Sequence, residues 1–276
     1  MMQLTVLCDN NTIIDQYFLG EPGFSLLIEE AGQKILLDTG YSNVFLSNAQ
    51  LMGIDLKELD ALVISHGHDD HTGGLTSLIK YYEASHMSKK VKLIAHPQAF
   101  ETKLNHGREI GLNLKESALA GYFYVQKAKE PCYLTERLLY LGQIPRTNHF
   151  ENKTAIGLCG DAHGRLEPDR MLDDTALVYK SKQGLVIMTG CSHSGICNII
   201  QYAKELCGEQ PIADVIGGFH LLDTEKTLMD QTLAYLSAQN IAKMHPCHCT
   251  DLQAKIALSR VLPVEEIGVS SRFTYA

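Results

Sequence analysis

Three features predict an α/β fold for this chain of 276 residues. Runs of strand and helix character alternate along it, the composition suits a soluble globular protein with a real core, and histidines recur where apolar strand runs end. A hydrophobic fraction of 45% against 20% charged residues excludes disordered and collagen-like classes. The formal net charge of -8 comes with no block of Lys and Arg, so a basic face for duplex nucleic acid is not expected. No apolar run approaches the length that spans a bilayer. The start, MMQLTVLCDNNTIID, has no basic region followed by an apolar one, so no signal peptide is expected. The eight cysteines are too sparse for a disulfide scaffold and form no paired C-x-x-C knuckles. Reduced thiols in a cytoplasm are the simplest reading.

The elements follow in order. QLTVLCD, FSLLIEE and QKILLDTG read as strands, with EEAGQK forming a tight hairpin between the second and third. NVFLSNAQLMGI has apolar residues at helical spacing; DALVISH is a short buried strand, LTSLIKYYEA a helix and KVKLIAHP a strand. Residues 98–150 break the pattern with Gly, Pro and polar clusters, and read as a variable insertion carrying short strands and helices near the site. Regularity returns with the hairpin of TALVYKS and GLVIMTG. Helix GICNIIQYAKEL, strand ADVIGGFH, helix TLMDQTLAYLSAQ, strand AKMHPCH and helix DLQAKIALSRVL follow. In α/β sheets the C-terminal edge of the strands is where ligands bind.

Ser65-His66-Gly67-His68-Asp69-Asp70-His71-Thr72-Gly73-Gly74 is the strongest signal in the chain. Three imidazoles and two carboxylates crowd into six residues between a strand and a helix, and both are ligands for zinc and similar metals. The glycines allow the tight backbone that turns these side chains towards one point. Taken together the group points to a metal site; a lone histidine would be read as an ordinary polar residue.

His66-x-His68-x-Asp70-His71 resembles the motif of the metallo-β-lactamase superfamily. That resemblance implies a four-layer αββα sandwich, here a single domain over 1–276, with metal at the sheet edge. It implies His66 and His68 on a first metal, and Asp70 and His71 on a second. Lys34-Ile-Leu-Leu-Asp38-Thr-Gly40 is similar to the family's first motif, in which Asp38 would orient the histidine loop. Gly190-Cys191-Ser192-His193 ends a strand where relatives carry a bridging Asp. Cys191 would be a thiolate ligand or a small packing residue. His193 is the first choice for the remaining imidazole, with His149 and His163 the weaker substitutes. His248 matches the last histidine motif and would bind the second metal. His220 matches a catalytic or substrate-contacting imidazole, the other reading being a core histidine. Cys247 and Cys249 could pair on a metal or alternate across a strand, and packing is favoured.

Further phrases narrow the resemblance: Glu21-x-Gly23-Phe24-Ser25, Gly142-x-Ile144-Pro145-Arg146 with Phe150-Glu151, Asp174-x-Ala176-Leu177, Gly217-Gly-Phe-His220-Leu221 and His248-Cys249-Thr250. They are similar to the branch named for dihydropterin-methyl-ribofuranosylaminobenzene-phosphate synthase. The chain departs from it at Pro22, where the branch often has His, and at Gln143, often Glu.

The resemblance implies two divalent metal ions, zinc first and manganese or iron next, in a hydrolase acting through metal-activated water on an ester or phosphate-bearing small molecule. Asp70 and His220 would be its catalytic groups, and Arg146 would grip a phosphate or stay on the surface. Transfer of a pterin group, as the branch name implies, and a mononuclear iron thiol dioxygenase are the alternatives. Diiron oxidoreductases of this fold typically carry Glu where His68 stands, with a flavin domain following. A ligand-binding protein without turnover is disfavoured by the complete ligand set. Nucleic acid and membranes are not expected partners.

Overall fold

The computed structural model describes residues 1–161 and 164–276. The chain opens as an antiparallel meander of β1 (Met2–Cys8), β2 (Ser25–Glu30) and β3 (Gln33–Leu37). Ala31 and Gly32 both have positive φ, the backbone of a two-residue hairpin whose twist matches its strands. After helix α1 (Val44–Leu51) the chain turns parallel, with β4 (Ala61–Val63) beside β3. One helical turn, α2 (Asp69–Thr72), leads into α3 (Leu75–Ala84), and β5 (Val91–Ala95) pairs with β4. Next come the short hairpin of β6 (Lys103–Asn105) and β7 (Arg108–Glu109), the turn α4 (Glu116–Leu119), and β8 (Phe123–Lys127), β9 (Cys132–Tyr133) and β10 (Leu138–Tyr140). Strands β11 (Leu158–Gly160) and β12 (Leu166–Pro168) precede the long hairpin of β13 (Ala176–Ser181) and β14 (Gly184–Thr189). Helix α5 (Ile196–Cys207), β15 (Ile212–Gly218), α6 (Lys226–Ser237), β16 (Met244–Cys247), α7 (Leu252–Ser259) and β17 (Arg272–Tyr275) complete the chain.

Two large sheets result, of order β17-β1-β2-β3-β4-β5-β8 and β16-β15-β14-β13-β10-β9, with a small sheet β12-β11-β6-β7 beside them. Period-2 alternation explains how they stack. In β2, Leu26 and Ile28 face the space between the sheets while Leu27 faces helices α1 and α3. In β14, Val186 and Met188 face the first sheet while Leu185 and Ile187 face the helices of the second. Both faces of each sheet are therefore buried, giving three apolar layers between four layers of structure: the αββα sandwich.

Residues 98–150, expected as a variable insertion, contribute to all three sheets. Phe123–Lys127 runs parallel to β5 at the edge of the first sheet, and Leu138–Tyr140 pairs with β13 inside the second. The part that stands apart is the β6–β7 hairpin, held in the small sheet by β11 and β12 from residues 158–168. These strands are too short to print a period on the sequence. Strand β17, not anticipated, pairs antiparallel with β1; it is a half-exposed edge of four residues with little apolar signal. No helix among the described residues is long and apolar enough to cross a membrane.

Ile216 on β15 is fully buried between the sheets. Ile216→Ala should cost about 2–5 kcal/mol. A lower urea midpoint with an unchanged slope checks this.

Candidate metal centre

Five strands end at one edge. Asp38 follows β3, Ser65 and His66 follow β4, Cys191 and His193 follow β14, His220 follows β15 and His248 follows β16. The loop after β4 is pinned along its length. The N–H of Asp38 donates to the Val63 carbonyl at 2.9 Å, the N–H of Gly67 to Asp173 Oδ2 at 2.8 Å and the N–H of Asp69 to the Ile110 carbonyl at 2.8 Å. A side chain at position 67 would begin 2.6 Å from the carbonyl oxygen of Ala99, so only glycine fits.

Two groups of candidate ligands converge there: His66, His68 and His193, and Asp70, His71, Cys191 and His248. Within each group the ligand atoms lie within 4.8 Å of one another. His66 Nε2 and His193 Nε2 are 3.2 Å apart. Cys191 Sγ is 3.1 Å from His71 Nε2 and 3.2 Å from His248 Nε2, and these two nitrogens are 3.2 Å apart. Asp70 Oδ2 reaches within 3.3 Å of His248 Nε2 and 3.8 Å of His71 Nε2. The rings of His66 and His71, 4.2 Å apart between centroids, join the two groups.

Hydrogen bonding behind the rings assigns their protons. His71 Nδ1 is 2.7 Å from Asp38 Oδ2, so that nitrogen donates. The hydroxyl of Ser65 donates to the same oxygen at 2.6 Å; having given its proton to Asp38, it accepts from His66 Nδ1 at 3.0 Å. His248 Nδ1 donates to Asn10 Oδ1 at 3.0 Å. With Nδ1 so engaged, each ring turns its Nε2 towards the others and towards Cys191, where bare lone pairs repel one another unless a proton or a metal cation sits among them. His68 Nε2 is buried with no hydrogen-bond partner, on a ring that belongs to the first group. Such orphaned buried nitrogens are uncommon unless a ligand satisfies them. The donor set therefore fits metal ions.

The electrostatics agree. Burial, then the neighbouring imidazoles, holds His66 and His193 well below the usual histidine range, and burial lowers His68 to about 4, so these three present neutral, ligating rings. Burial would lower His71 too, but the carboxylates of Asp70 and Asp38 push it up to about 9: the pocket favours positive charge at that point. Asp70 is held below the carboxylate range because His71 and His248 outweigh its burial. Burial raises the Cys191 thiol, so a thiolate there requires a cation beside it.

Other expected residues are placed differently. His220 stands at the rim, its ring centroid 4.3 Å from that of His193 and its backbone N–H donating to Cys249 Sγ at 3.2 Å. Arg146 does not reach the site: its guanidinium donates to the carbonyls of Ile144, Arg170 and Met171, and burial lowers its pKa. A Pro-Arg pair in a loop carries no information about which way the arginine turns, and here it serves the backbone. His149 is exposed beside Gln231, and His163 lies outside the described residues. Cys247 is buried between the sheets, whereas Cys249 faces the site with its thiol donating to the Cys191 carbonyl at 3.4 Å.

The roles of the supporting layer were not legible in the sequence. Asp9 accepts the His248 N–H at 2.9 Å, and Asn10 orients the ring of the same residue. Lys103, fully buried, bridges Asp169 and Asp173 at 2.7 and 3.0 Å and so braces the carboxylate that holds Gly67. Glu151 accepts the N–H groups of Cys197 and Asn198 at the start of α5, fixing the loop that carries His193. Each is a single polar residue far along the chain from what it supports. A cavity of about 590 Å³ opens over the ligands, with Asn10, Tyr41, Arg108, Ile110 and Leu222 among its other walls.

Comparisons with known proteins agree with this geometry. The family described as anti-Pycsar protein Apyc1 matches residues 20–205. The 7,8-dihydropterin-6-methyl-4-(beta-D-ribofuranosyl)-aminobenzene-5'-phosphate synthase of Methanocaldococcus jannaschii is 32% identical over 253 residues, 86% of this chain and 84% of that protein. The crystal structure of Tm1679, a metal-dependent hydrolase of the beta-lactamase superfamily, superposes with a TM-score of 0.85 at 28% identity over 100% of both chains. The metallo-beta-lactamase fold protein YhfI from Bacillus subtilis gives 0.60 at 12% identity over 99% of this chain and 98% of that one, which speaks to the fold alone.

Asp38→Asn should keep the fold but weaken metal retention by about 10- to 100-fold, since the second acceptor for His71 and Ser65 is lost. Chelator competition on purified protein measures it.

Proposed function

Because this chain belongs to the metallo-β-lactamase superfamily and, within it, to the family described as anti-Pycsar protein Apyc1, we propose that it is a metal-dependent hydrolase of an ester or phosphate-bearing small molecule. One observation carries the reading: seven side chains converge in two adjoining groups, and five of them, His68, Asp70, Cys191, His193 and His248, line a single open cavity while His66 and His71 lie buried behind it. His66, His68 and His193 would hold one divalent ion, and Asp70, His71, Cys191 and His248 a second. Nitrogen, carboxylate and thiolate donors together suit zinc best, with manganese or iron next. Bound there, the metals supply Lewis acidity that lowers the pKa of water from about 15.7 to about 7 and stabilises negative charge on the substrate.

The remaining work falls to the protein. Asp70, whose Oδ2 lies beside His248 and His71, would take the proton of the attacking water on the carboxylate oxygen that does not bind metal. His220 stands at the rim beside His193, where Cys249 and the carboxylates of Asp174 and Asp70 raise its pKa against the effect of burial. It donates a proton to the leaving oxygen as the ester or phosphoester bond breaks. Asp38 and Ser65 hold the rings of His71 and His66 in the tautomers that ligate.

Group transfer is the second reading, favoured by the synthase among the relatives. The same residues would then hold a diphosphate leaving group while an amine, not water, attacks. Product analysis separates them: a hydrolase consumes its substrate with no amine acceptor present.

Protein purified without chelator should carry close to two metals per chain by elemental analysis. Asp70→Ala and His66→Ala should each lose metal and more than about 100-fold of the activity on bis(p-nitrophenyl) phosphate or p-nitrophenyl acetate, with the far-ultraviolet circular dichroism preserved. A well-folded protein with no affinity for zinc, manganese or iron would sink the proposal, and one tightly bound iron would point to thiol dioxygenation instead.

Cys191→Ser should weaken the second metal, because a hydroxyl is a poor ligand at neutral pH. Thiolate binding releases a proton, so wild-type affinity should rise with pH more steeply than that of the variant. Cobalt-substituted wild type should show an intense near-ultraviolet thiolate charge-transfer band, absent in Cys191→Ser. Its absence from the wild type would leave Cys191 as a packing residue.

A further inference from the structure

The β6–β7 hairpin leans over the site and is stitched to the histidine loop. Besides the bond from Asp69 to the Ile110 carbonyl, His68 and Gly111 form an antiparallel bridge, and the Ile110 N–H donates to the Lys103 carbonyl at 2.9 Å. Arg108 is thus carried on an anchored support, two residues from Ile110. Among the described residues it is the only Arg or Lys lining the central cavity. Its side chain is exposed, and its one hydrogen bond runs from Nη2 to the hydroxyl of Tyr41 at 3.5 Å. A guanidinium has five N–H donors in a planar fork that matches a carboxylate or phosphate, so most of that capacity is left over. Arg146, by contrast, turns Nη1 and Nη2 to backbone carbonyls.

The position of Arg108 says what it could read. A second cavity of about 390 Å³ adjoins the first, walled by Thr76, Glu109, Leu112, Asn113 and Leu114. Tyr41, Asp69 and Arg108 line both, so the arginine stands in the passage between them. Asp69 in the shared wall and Glu109 in the second cavity would repel an anion, so the counter-charge of Arg108 decides whether one is accepted. Charge on the reacting group is met by the ligand clusters, to which Arg108 does not belong.

We infer that Arg108, backed by the Tyr41 hydroxyl, is a specificity-determining residue that binds a second anionic group of the substrate, beyond the bond that is cleaved. The inference rests on the hydrolase reading for the identity of the reacting centre, but not for the binding of the anion. A phosphate and a carboxylate present the same fork to a guanidinium, and two matched pairs of probes distinguish them. Thymidine 5′-(p-nitrophenyl phosphate) with and without a 3′-phosphate tests the first; the p-nitrophenyl hemiester of glutarate against p-nitrophenyl pentanoate tests the second.

Zinc-loaded wild type should prefer the charged member of at least one pair by about tenfold in kcat/KM, expressed through KM. Arg108→Gln should erase that ratio, and Arg108→Lys should restore part of it, since an ammonium keeps the charge without the fork. No preference in the wild type, or a ratio unchanged in Arg108→Gln, overturns the inference. Should the wild type turn over none of the four probes, the hydrolase reading fails for them. Calorimetric binding of the same probes to wild type and Arg108→Gln then decides the role of Arg108 by the same ratio.

Discussion

The carboxylate of Asp38 is wholly buried, in a residue with φ of +57°, and takes three hydrogen bonds. Two come from the backbone and hydroxyl of Ser65 and one from His71. A buried carboxylate costs several kcal/mol unless its oxygens are well matched by donors. Here each donor belongs to the loop whose shape the site requires, so the cost of burying the charge is offset only when that loop is correctly folded. The second sheet presses on the same point. A Cβ at Gly190 would fall 2.1 Å from Ser65 Oγ and 2.9 Å from Asp38 Oδ2, so β14 can end here only in glycine. Orientation of His66 and His71, the close approach of the two sheets and the location of Cys191 all follow from this one anionic centre.

How much of this the sequence displayed depended on whether a feature repeats. Leu26, Leu27 and Ile28 lie on alternate faces of a strand buried on both sides, and such runs declare themselves. The histidine loop is equally plain because His66, His68, Asp70 and His71 are neighbours in sequence as well as in space. His193 and Cys191 were found through a strand end and a family motif, and the structure brings both to the site. Asp9, Asn10, Lys103 and Asp173 gave no signal, because each meets its partner only through the topology, and Glu151 stood in a family phrase that said nothing of its partner. The two arginines make the same point. Nothing in the residues around Arg146 or Arg108 tells them apart; a hairpin held by Ile110 and Gly111 carries one to the cavity, and three carbonyl oxygens keep the other away.

Charge acts differently at long and short range. With a formal net charge of -8, the molecule as a whole repels an anion at low ionic strength. At the site itself, attraction would come from the metal ions and one guanidinium. That arrangement favours selection after arrival over steering from a distance, and moderate salt, which screens the distant charges more than the close ones, would ease the approach.

The candidate ligands also span the chain. They run from position 66 to position 248 and hang from strands of both sheets, so ions shared among them would tie the first half of the molecule to the second. Ties of that reach act on the folded chain, since the ligand set exists only when both sheets have formed and met. A ligand that recognises only the assembled state raises its population by mass action, by about 2.7 kcal/mol when its free concentration is 100 times its dissociation constant. The metal supply of the surroundings would then set how long the sandwich stays closed, making the protein's lifetime, and not only its chemistry, a function of what ions are at hand.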